Sequence, residues 1–425
     1  MSLKPYPDYK PSGVKWLGEV PAHWNMAPLG QHFMLRNETV SDKDFAPLSV
    51  TMSGVVPQME NVAKTDNGDS RKLVRCGDFV INSRSDRKGS SGIADRDGSV
   101  SMISIVLVPH GVTPRFTHHL LRSVPFQEEF YRFGTGIVAD LWSTRFSAMK
   151  SIRLALPSMS EQVAIADYLD RELVDIDAFI SDQEELIALL RERRTALRES
   201  IISAATHSGH SIGLKRVADI TVGIVVTPAA WYANAGVPAL RGLNVKEGLI
   251  EQKDLIQISE DGHRLHQKSK LKHGDVVVVR TGQAGTAAFV PAGMDGWNAI
   301  DLLIARPKRE LSGNYLEILL NSETVQGQIK AGSVGAIQGH FNVGALKNLF
   351  LPVPSLETQH DIVARWNDER GLIDAAIADA HQAIKLSKER RAAVISAAVT
   401  GKIDVRDFMV PRSTTKTGAE SVGVA

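Results

Sequence analysis

The chain has 425 residues, 43% hydrophobic and 23% charged, which is ordinary globular composition with room for two or three domains. Its net charge of +1 gives no global signal for nucleic acid, and its single cysteine, Cys76, excludes an internal disulfide and a cysteine-based zinc site. No apolar run reaches the length of a membrane span and MSLKPYPDYKPSGVKW lacks an apolar signal core, so a cytoplasmic protein is expected.

Residues 1–25, with Tyr6, Tyr9, Trp16, Pro21 and Trp24, form a Pro- and aromatic-rich arm, expected to strap onto another element. From 26 to 156, short apolar runs broken by Gly, Asp, Asn and Ser (APLSVTMSG, GDFVINSR, VSMISIVLVP) predict strands of a mixed β domain. Cys76 reads most simply as a small residue at a strand start. THHLLRSVPFQEEFYRF is the one clear helical piece there.

Residues 157–206 hold a long helix, Met159 to Thr206, with Ser158 or Ser160 as N-cap and Glu161 in the first turn. Ile165, Leu169, Leu173, Ile176, Ile180, Gln183, Ile187, Leu190, Arg194, Leu197, Ile201 and Ala204 recur in steps of three and four, the seam of a coiled coil. A linker follows at 207–213, where Gly and Ser suggest a loose connection. Residues 214–353 repeat the β plan: LKRVADITVG, VPALRGLNV and GDVVVVRTG, then the helical GNYLEILLNSETVQGQIKA. A second long helix occupies 354–404, and the Thr-, Ser- and Gly-rich tail, 405–425, is expected to be disordered.

The second helix repeats the first at an offset of 197: Ile165 becomes Ile362, Leu169 Trp366, Arg194 Arg391 and Ala204 gives way to Gly401 after Ala398 closes the seam. Gln162 and Gln359, Ile176-Asp177-Ala178 and Ile373-Asp374-Ala375, and Arg193-Arg194 and Arg390-Arg391 coincide at the same offset. The chain is therefore an internal duplication. Its predicted class is α+β: two β-rich domains separated by two long helices that pair as an antiparallel coiled coil, with a pseudo-two-fold repeat. At about 1.5 Å per residue the first helix would span roughly 70 Å, long enough to separate the two β-rich domains.

Local charge is less even than the total. Arg71, Lys72, Arg75, Arg84, Arg87 and Lys88 face only Asp78 and Asp86 between 71 and 88, and Arg264, Lys268, Lys270, Lys272 and Arg280 face only Asp275 between 264 and 280. Both clusters straddle a Gly-Asp pair, and both read either as solvated strand edges or as surfaces that neutralise phosphates. The glycines of Arg280-Thr-Gly-Gln-Ala-Gly285 serve either a hairpin turn or a loop that approaches a ligand. Asn82, Ser83, Arg84, Arg87 and Lys88 in one loop and Arg280, Thr281 and Gln283 in the other are the leading DNA-binding candidates, followed by Trp142, Arg145, Gln338 and His340.

Catalytic signatures are missing from the sequence. Gly401-Lys402 lacks the upstream glycine of a phosphate loop, and there is no Asn/Asp-Pro-Pro-aromatic tetrapeptide of amino-methyltransferases. A dinucleotide fold fails at TAAFVPAGMDG, which is no helix. His118-His119 and His207/His210 come nearest to metal spacing without a completing carboxylate. No catalytic, cofactor-binding or metal-binding residue is assigned.

The arm PDYKPSGVKWLGEVPAHW, the joints PSMSEQVAIADYLDRE and PSLETQHDIV, the helix LLRERRTAL and the terminus RRAAVISAAVTGKIDVR resemble the specificity subunit (HsdS) of type I restriction-modification systems. The likeness covers nearly the whole chain and is looser in the β domains, which in that family are the target-recognition domains. The first helix departs by Arg-Glu-Ser-Ile before its Ser-Ala-Ala, and the second opens with Thr-Gln-His where the family usually has Glu-Glu-Gln. The resemblance implies a non-catalytic subunit that binds double-stranded DNA at a bipartite asymmetric site. It also implies two DNA adenine methyltransferase subunits (HsdM) and restriction/translocase subunits (HsdR) as partners. S-adenosylmethionine, ATP and Mg²⁺ would belong to those partners. Two rivals stay open: a DNA-modifying enzyme with an unrecognised site, and a coiled-coil scaffold joining two proteins.

Overall fold

The computed structural model describes residues 4–58, 68–136, 142–206, 211–333 and 341–408. The chain forms two compact units, Met1–Asp182 with Gln382–Ala425 and Gln183–His381, so the division falls inside both long helices. The class is α+β, and each unit combines one β-rich domain with one segment of each helix.

In the first unit the strands Ser91–Ile93, Phe79–Asn82, Ser104–Pro109 and Phe33–Arg36 lie in that order, all antiparallel. In the second, Ala287–Phe289, Val276–Val279, Leu302–Pro307 and Ala218–Val222 build the same sheet in the same order. Alternation along the central strand splits its side chains between two cores: Val276 and Val278 pack with the helices, Val277 and Val279 with a second β layer. Phe79 and Ile81 against Val80 divide the first unit likewise. A strand covered on both faces needs a continuous apolar run, and VVVV supplies one.

The second layers differ. The first unit has Gly98–Val100, Arg71–Val74 and Thr39–Val40 with the hairpin Leu48–Thr51 and Gly54–Pro57. The second has Tyr232–Ala233, Ile256–Ile258, Val237–Leu240 and Asn298–Ala299, the last pair parallel. The run THHLLRSVPFQEEFYRF, expected as one helical piece, is two helices, Pro114–Arg122 and Val124–Arg132. Pro125 cannot donate to a continuing turn, so Ser123 leaves helical geometry and caps the second helix, its Oγ accepting from Phe126 N. Asn321 and Ser322 similarly part Gly313–Leu320 from Glu323–Ser333.

The long helices run unbroken over Met159–Thr206 and Leu356–Val399. Within each unit their segments are antiparallel. In the first, Leu173 and Ile395 line one small cavity and Asp177 meets Arg391; in the second, Arg194 meets Asp374 and Arg198 lies over the Trp366 ring. Seam residues Ile165, Leu169, Leu173 and Ala398 are buried in the first unit, and Ile187, Ile201, Ile362 and Trp366 in the second. Arg391 Nε donates to Asp177 and Arg194 Nη1 to Asp374, both at 2.9 Å. The arginine of each repeated Arg-Arg thus meets the aspartate of the repeated Ile-Asp-Ala on the other helix. Half-exposed pairs of this kind add little stability but single out one register.

A buried glutamine brackets each domain to its helix. Gln162 Oε1 accepts Thr113 N at 2.9 Å while its Nε2 donates to Pro157 O at 3.1 Å. Gln359 Oε1 accepts Ser312 N at 2.8 Å while its Nε2 donates to Pro354 O and Glu310 O, both at 2.9 Å. Each therefore satisfies backbone groups that no helix or sheet partner reaches.

The arm packs over the first unit's helix ends. Ser158 caps the first helix, accepting from Glu161 N. Buried Glu161 accepts from Tyr6 Oη at 2.7 Å and Trp24 Nε1 at 3.0 Å, and its other oxygen lies 2.9 Å from His23 Nε2. Burial first, then the bond to Glu161, raises the Tyr6 hydroxyl well above its ordinary value. Tyr9 Oη donates to Gly401 O at 3.0 Å, and Gly401 must be glycine, since φ is 73° and a Cβ would sit 2.3 Å from Pro21 Cδ.

Three sequence expectations shift. Ser211–Gly213, read as the end of a loose connection, is a strand paired with Phe350–Pro352. Val405 is buried and Phe408 packs edge-on against Tyr168, so packed structure continues past 404; residues 409–425 lie outside the described ones. Cys76 is exposed in the turn before Phe79–Asn82, its N–H donating to Asp97.

Glu317 yields a pH prediction. It is buried in the second unit, accepts Asn321 Nδ2 at 2.6 Å, and burial pushes its carboxyl up to about 7 from 4.5. Between those values the folded state binds more proton than the unfolded, so stability falls as pH rises, by about 3 kcal/mol in all. Glu317→Gln is expected to flatten this decline and raise stability at pH 8, measured by urea unfolding at pH 5 and pH 8. A variant with the parent's slope across that window would refute the assignment.

Candidate nucleic-acid interface

The basic clusters are less positive in space than in sequence. Arg71 is buried, with Nε donating to Ser99 Oγ at 2.9 Å, and Lys72 Nζ donates to Ser104 O at 2.6 Å; burial lowers both pKa values. Arg75 pairs with Asp97, Arg84 and Arg87 with Asp86, and Lys88 with Glu128. Asp97 and Glu128 come from segments outside the counted window, so a linear tally misses them. In the second cluster Arg264 pairs with Asp261 and Arg280 with Asp301.

The two Gly-Asp pairs are structural. Gly77 and Gly274 both have φ 90°, turning the chain so that Asp78 Oδ2 accepts Arg75 N at 2.8 Å and Asp275 Oδ2 accepts Lys272 N at 2.9 Å. Each buried carboxylate also holds an arginine through two bonds: Arg36 on Asp78 at 2.6 and 3.1 Å, Arg306 on Asp275 at 2.8 and 2.7 Å. The bond to Asp78 raises the Arg36 pKa, and that to Asp275 raises Arg306.

In the first unit the candidates gather at one sheet end. Asn82 is buried and shapes the loop, its Oδ1 accepting Arg84 N at 3.1 Å. Thr144 N donates to Ser83 O and Ser85 N to Trp142 O, both at 2.9 Å, and Arg84 bridges Ser143. These bonds bring Ser83, Arg84 and Trp142 together, with Arg145 exposed just beyond; Trp142 is 42% exposed. Arg87 and Lys88 are exposed on the following 3₁₀ turn and its end, with Lys88 Nζ 5.9 Å from the Tyr131 ring centre.

In the second unit, Arg280 to Gly285 form a hairpin turn between Val276–Val279 and Ala287–Phe289. Gly282 at φ 81° and Gly285 at φ 92° make the turn, and a Cβ on Gly285 would come 2.9 Å from Ile329 Cδ1. The hairpin also lines a groove of about 580 Å³. Thr281, Gln283 and Asp301 face Tyr232, Arg241, Leu243 and Lys246 across it. Tyr232, Arg241, Leu243 and Lys246 come from segments that the sequence reading did not single out as part of a site. Gln338 and His340 lie outside the described residues.

The repeat can now be aligned by hydrogen bonds. Thr144 N donates to Ser83 O in the first unit, and Phe341 N donates to Arg280 O, at 3.0 Å, in the second. The counterpart of Arg280 is therefore Ser83, and that of Arg84 is Thr281. Arg84 and Arg280 are not equivalent positions.

Outside these loops, His119 Nε2 sits 2.7 Å from Asp170 Oδ1, a carboxylate from the helix that the sequence did not pair with it. That bond, then one from Arg115, holds Asp170 at about 2, while burial and Arg122 push His118 to about 3. No group of three or more metal-ligating side chains gathers among the described residues, and no described helix is long and apolar enough to cross a membrane.

Two β-rich domains of one plan, each on an antiparallel helix pair, define the class of protein. No protein-family model matches the chain. The specificity subunit of the type I restriction enzyme EcoBI of Escherichia coli is 23% identical over 243 residues, half of each chain. The chain thus spans about half the length of that relative. The MjaVIII specificity subunit of Methanocaldococcus jannaschii is 22% identical over 315 residues, 68% of this chain and 71% of the relative. A chain in a solved structure on complex assembly and conformational transition of the type I R-M system superposes with a TM-score of 0.65. It does so at 17% identity, over 90% of this chain and 99% of that one. The curated relatives are type I specificity subunits, as the sequence motifs suggested, and the solved structure shares the fold.

Arg84→Ala and Arg280→Ala test the loop assignments separately. Loss of a bidentate arginine contact should cost about 1–3 kcal/mol at one base position, whereas loss of a phosphate contact weakens all sequences alike. Affinity and base preference would be measured on the assembled complex; two silent variants would remove both loops from the interface.

Proposed function

We propose that the chain is the DNA sequence-specificity subunit of a type I restriction-modification complex, with each β-rich domain reading one half of a bipartite asymmetric site. The observation that carries this reading is a duplication in which the frame repeats and the exposed edge does not. Sheet order, the Asp–Arg supports and the glutamine brackets recur; Ser83 against Arg280, and the whole second layer, do not. Two like modules with unlike contact edges suit a target with two unlike halves.

On this reading the chain itself is non-catalytic. Its helices offer docking faces for two DNA adenine methyltransferase subunits, to which restriction subunits add. S-adenosylmethionine, ATP and Mg²⁺ act on those partners. The names of the relatives and the shared fold support the role.

The test is methylation-motif sequencing in cells carrying the chain with its methyltransferase subunit. Exchanging residues 214–353 for the matching domain of a relative should change one half of the methylated motif and keep the other. A hybrid that reads unrelated sequence in both halves would contradict the modular reading. Methyl transfer by the purified chain alone would favour a DNA-modifying enzyme instead.

A further inference from the structure

The duplication places two cross-strand pairs at the same corner of the same sheet. Asn82 is opposite Ser104 and Val279 is opposite Leu302, and these pairs end the two ladders; the chain continues past them as Ser83 and, on the other strand, Ile103 in the first unit, and as Arg280 and Asp301 in the second. The shared hydrogen bonds to Ser83 O and Arg280 O confirm the match. Around this corner the supports are alike in the two units, yet one corner carries an apolar side chain and the other a carboxylate.

Asp301 brings a carboxylate into a groove that also carries Arg241 and Lys246, and among the described residues it is the one carboxylate that lines the groove. Arg280 Nη1 donates to its Oδ1 at 2.5 Å, and no other bond to the carboxylate is made among the described residues. Asp301 is the more exposed partner, 50% against 20% for Arg280. Its backbone is left-handed, φ 51°, a conformation that costs a non-glycine residue about 1 kcal/mol or more and that aspartate tolerates better than most. A strained, exposed acid oriented by an arginine, in an otherwise basic groove, has the character of a selective acceptor. At the matching corner Ile103 is 44% exposed, as is its neighbour Met102.

We infer that Asp301 and Ile103 are base-reading side chains of the two domains, Asp301 accepting a hydrogen bond from a cytosine amino group and Ile103 packing against a thymine methyl group. The inference rests on the DNA-reading function proposed above. Cytosine N4 is a donor with no acceptor beside it on its own base in the major groove, whereas adenine sets N7, which repels a carboxylate, next to its amino group. Isoleucine offers no hydrogen bond, and the thymine methyl is the apolar feature of the major groove.

The experiment uses the chain assembled with its methyltransferase subunit and reads the methylated motif. Asp301→Ala and Asp301→Asn should each reduce the preference for cytosine at one position of the second domain's half-site by roughly tenfold, leaving the other half-site unchanged. Ile103→Ala should reduce preference for thymine by roughly fivefold at one position of the first domain's half-site only. Asn is nearly isosteric, so it reports on the site should the alanine variant fail to assemble. A parent motif with no C·G pair in the second half-site, or variants that keep the parent's base preferences, would overturn the assignment alone. A parent complex that reads no bipartite site would overturn the functional reading and this inference with it.

Discussion

The structure depends on the antiparallel packing of two long helices along one apolar seam. Neither helix has an apolar face wide enough to be buried alone, and their mutual burial removes both stripes from water at once. Polar positions within the seam make the pairing selective, because an arginine left opposite an apolar residue would lose its partner. Each Arg–Asp contact repeats once per unit, so one register satisfies both.

The β-rich domains are grafted onto this frame by short, fully satisfied polar links. Gln162 and Gln359 use both ends of their amide, and the buried Asp78 and Asp275 each hold an arginine and a backbone N–H. Buried polar groups are costly unless satisfied, which makes such links exacting. They hold the central strand and its turn in place while leaving the far end of the sheet free to vary. That end carries the exposed loops.

Charge plays a narrower part than the basic clusters suggest. Two cations of the first cluster belong to the core or its edge, and the rest meet carboxylates nearby. An interface built this way gains less from sheer charge and more from a few placed side chains and from the shape of the groove, the division expected where phosphates position and bases specify.

Much of the fold was legible in the sequence because its signals are local or repeated. Steps of three and four marked the long helices, short apolar runs between Gly, Asp, Asn and Ser marked the strands, and a constant offset exposed the duplication before any contact was known. Pro125 was equally visible, yet its effect, two helices where one piece was expected, follows from hydrogen-bond geometry at Ser123. The candidate site was legible only in part. Its loops could be located, but the cations counted there were assigned without the acids that fold against them. Asp97, Glu128 and Asp301 each reach their arginine or lysine from at least twenty residues away, and Tyr232, Arg241 and Lys246 reach the groove from three separate segments. The sequence by itself determined the helices, the strands and the repeat, since each is set by neighbours along the chain. Only the tertiary structure decided which side chains share the groove, since that depends on how separate strands are brought side by side.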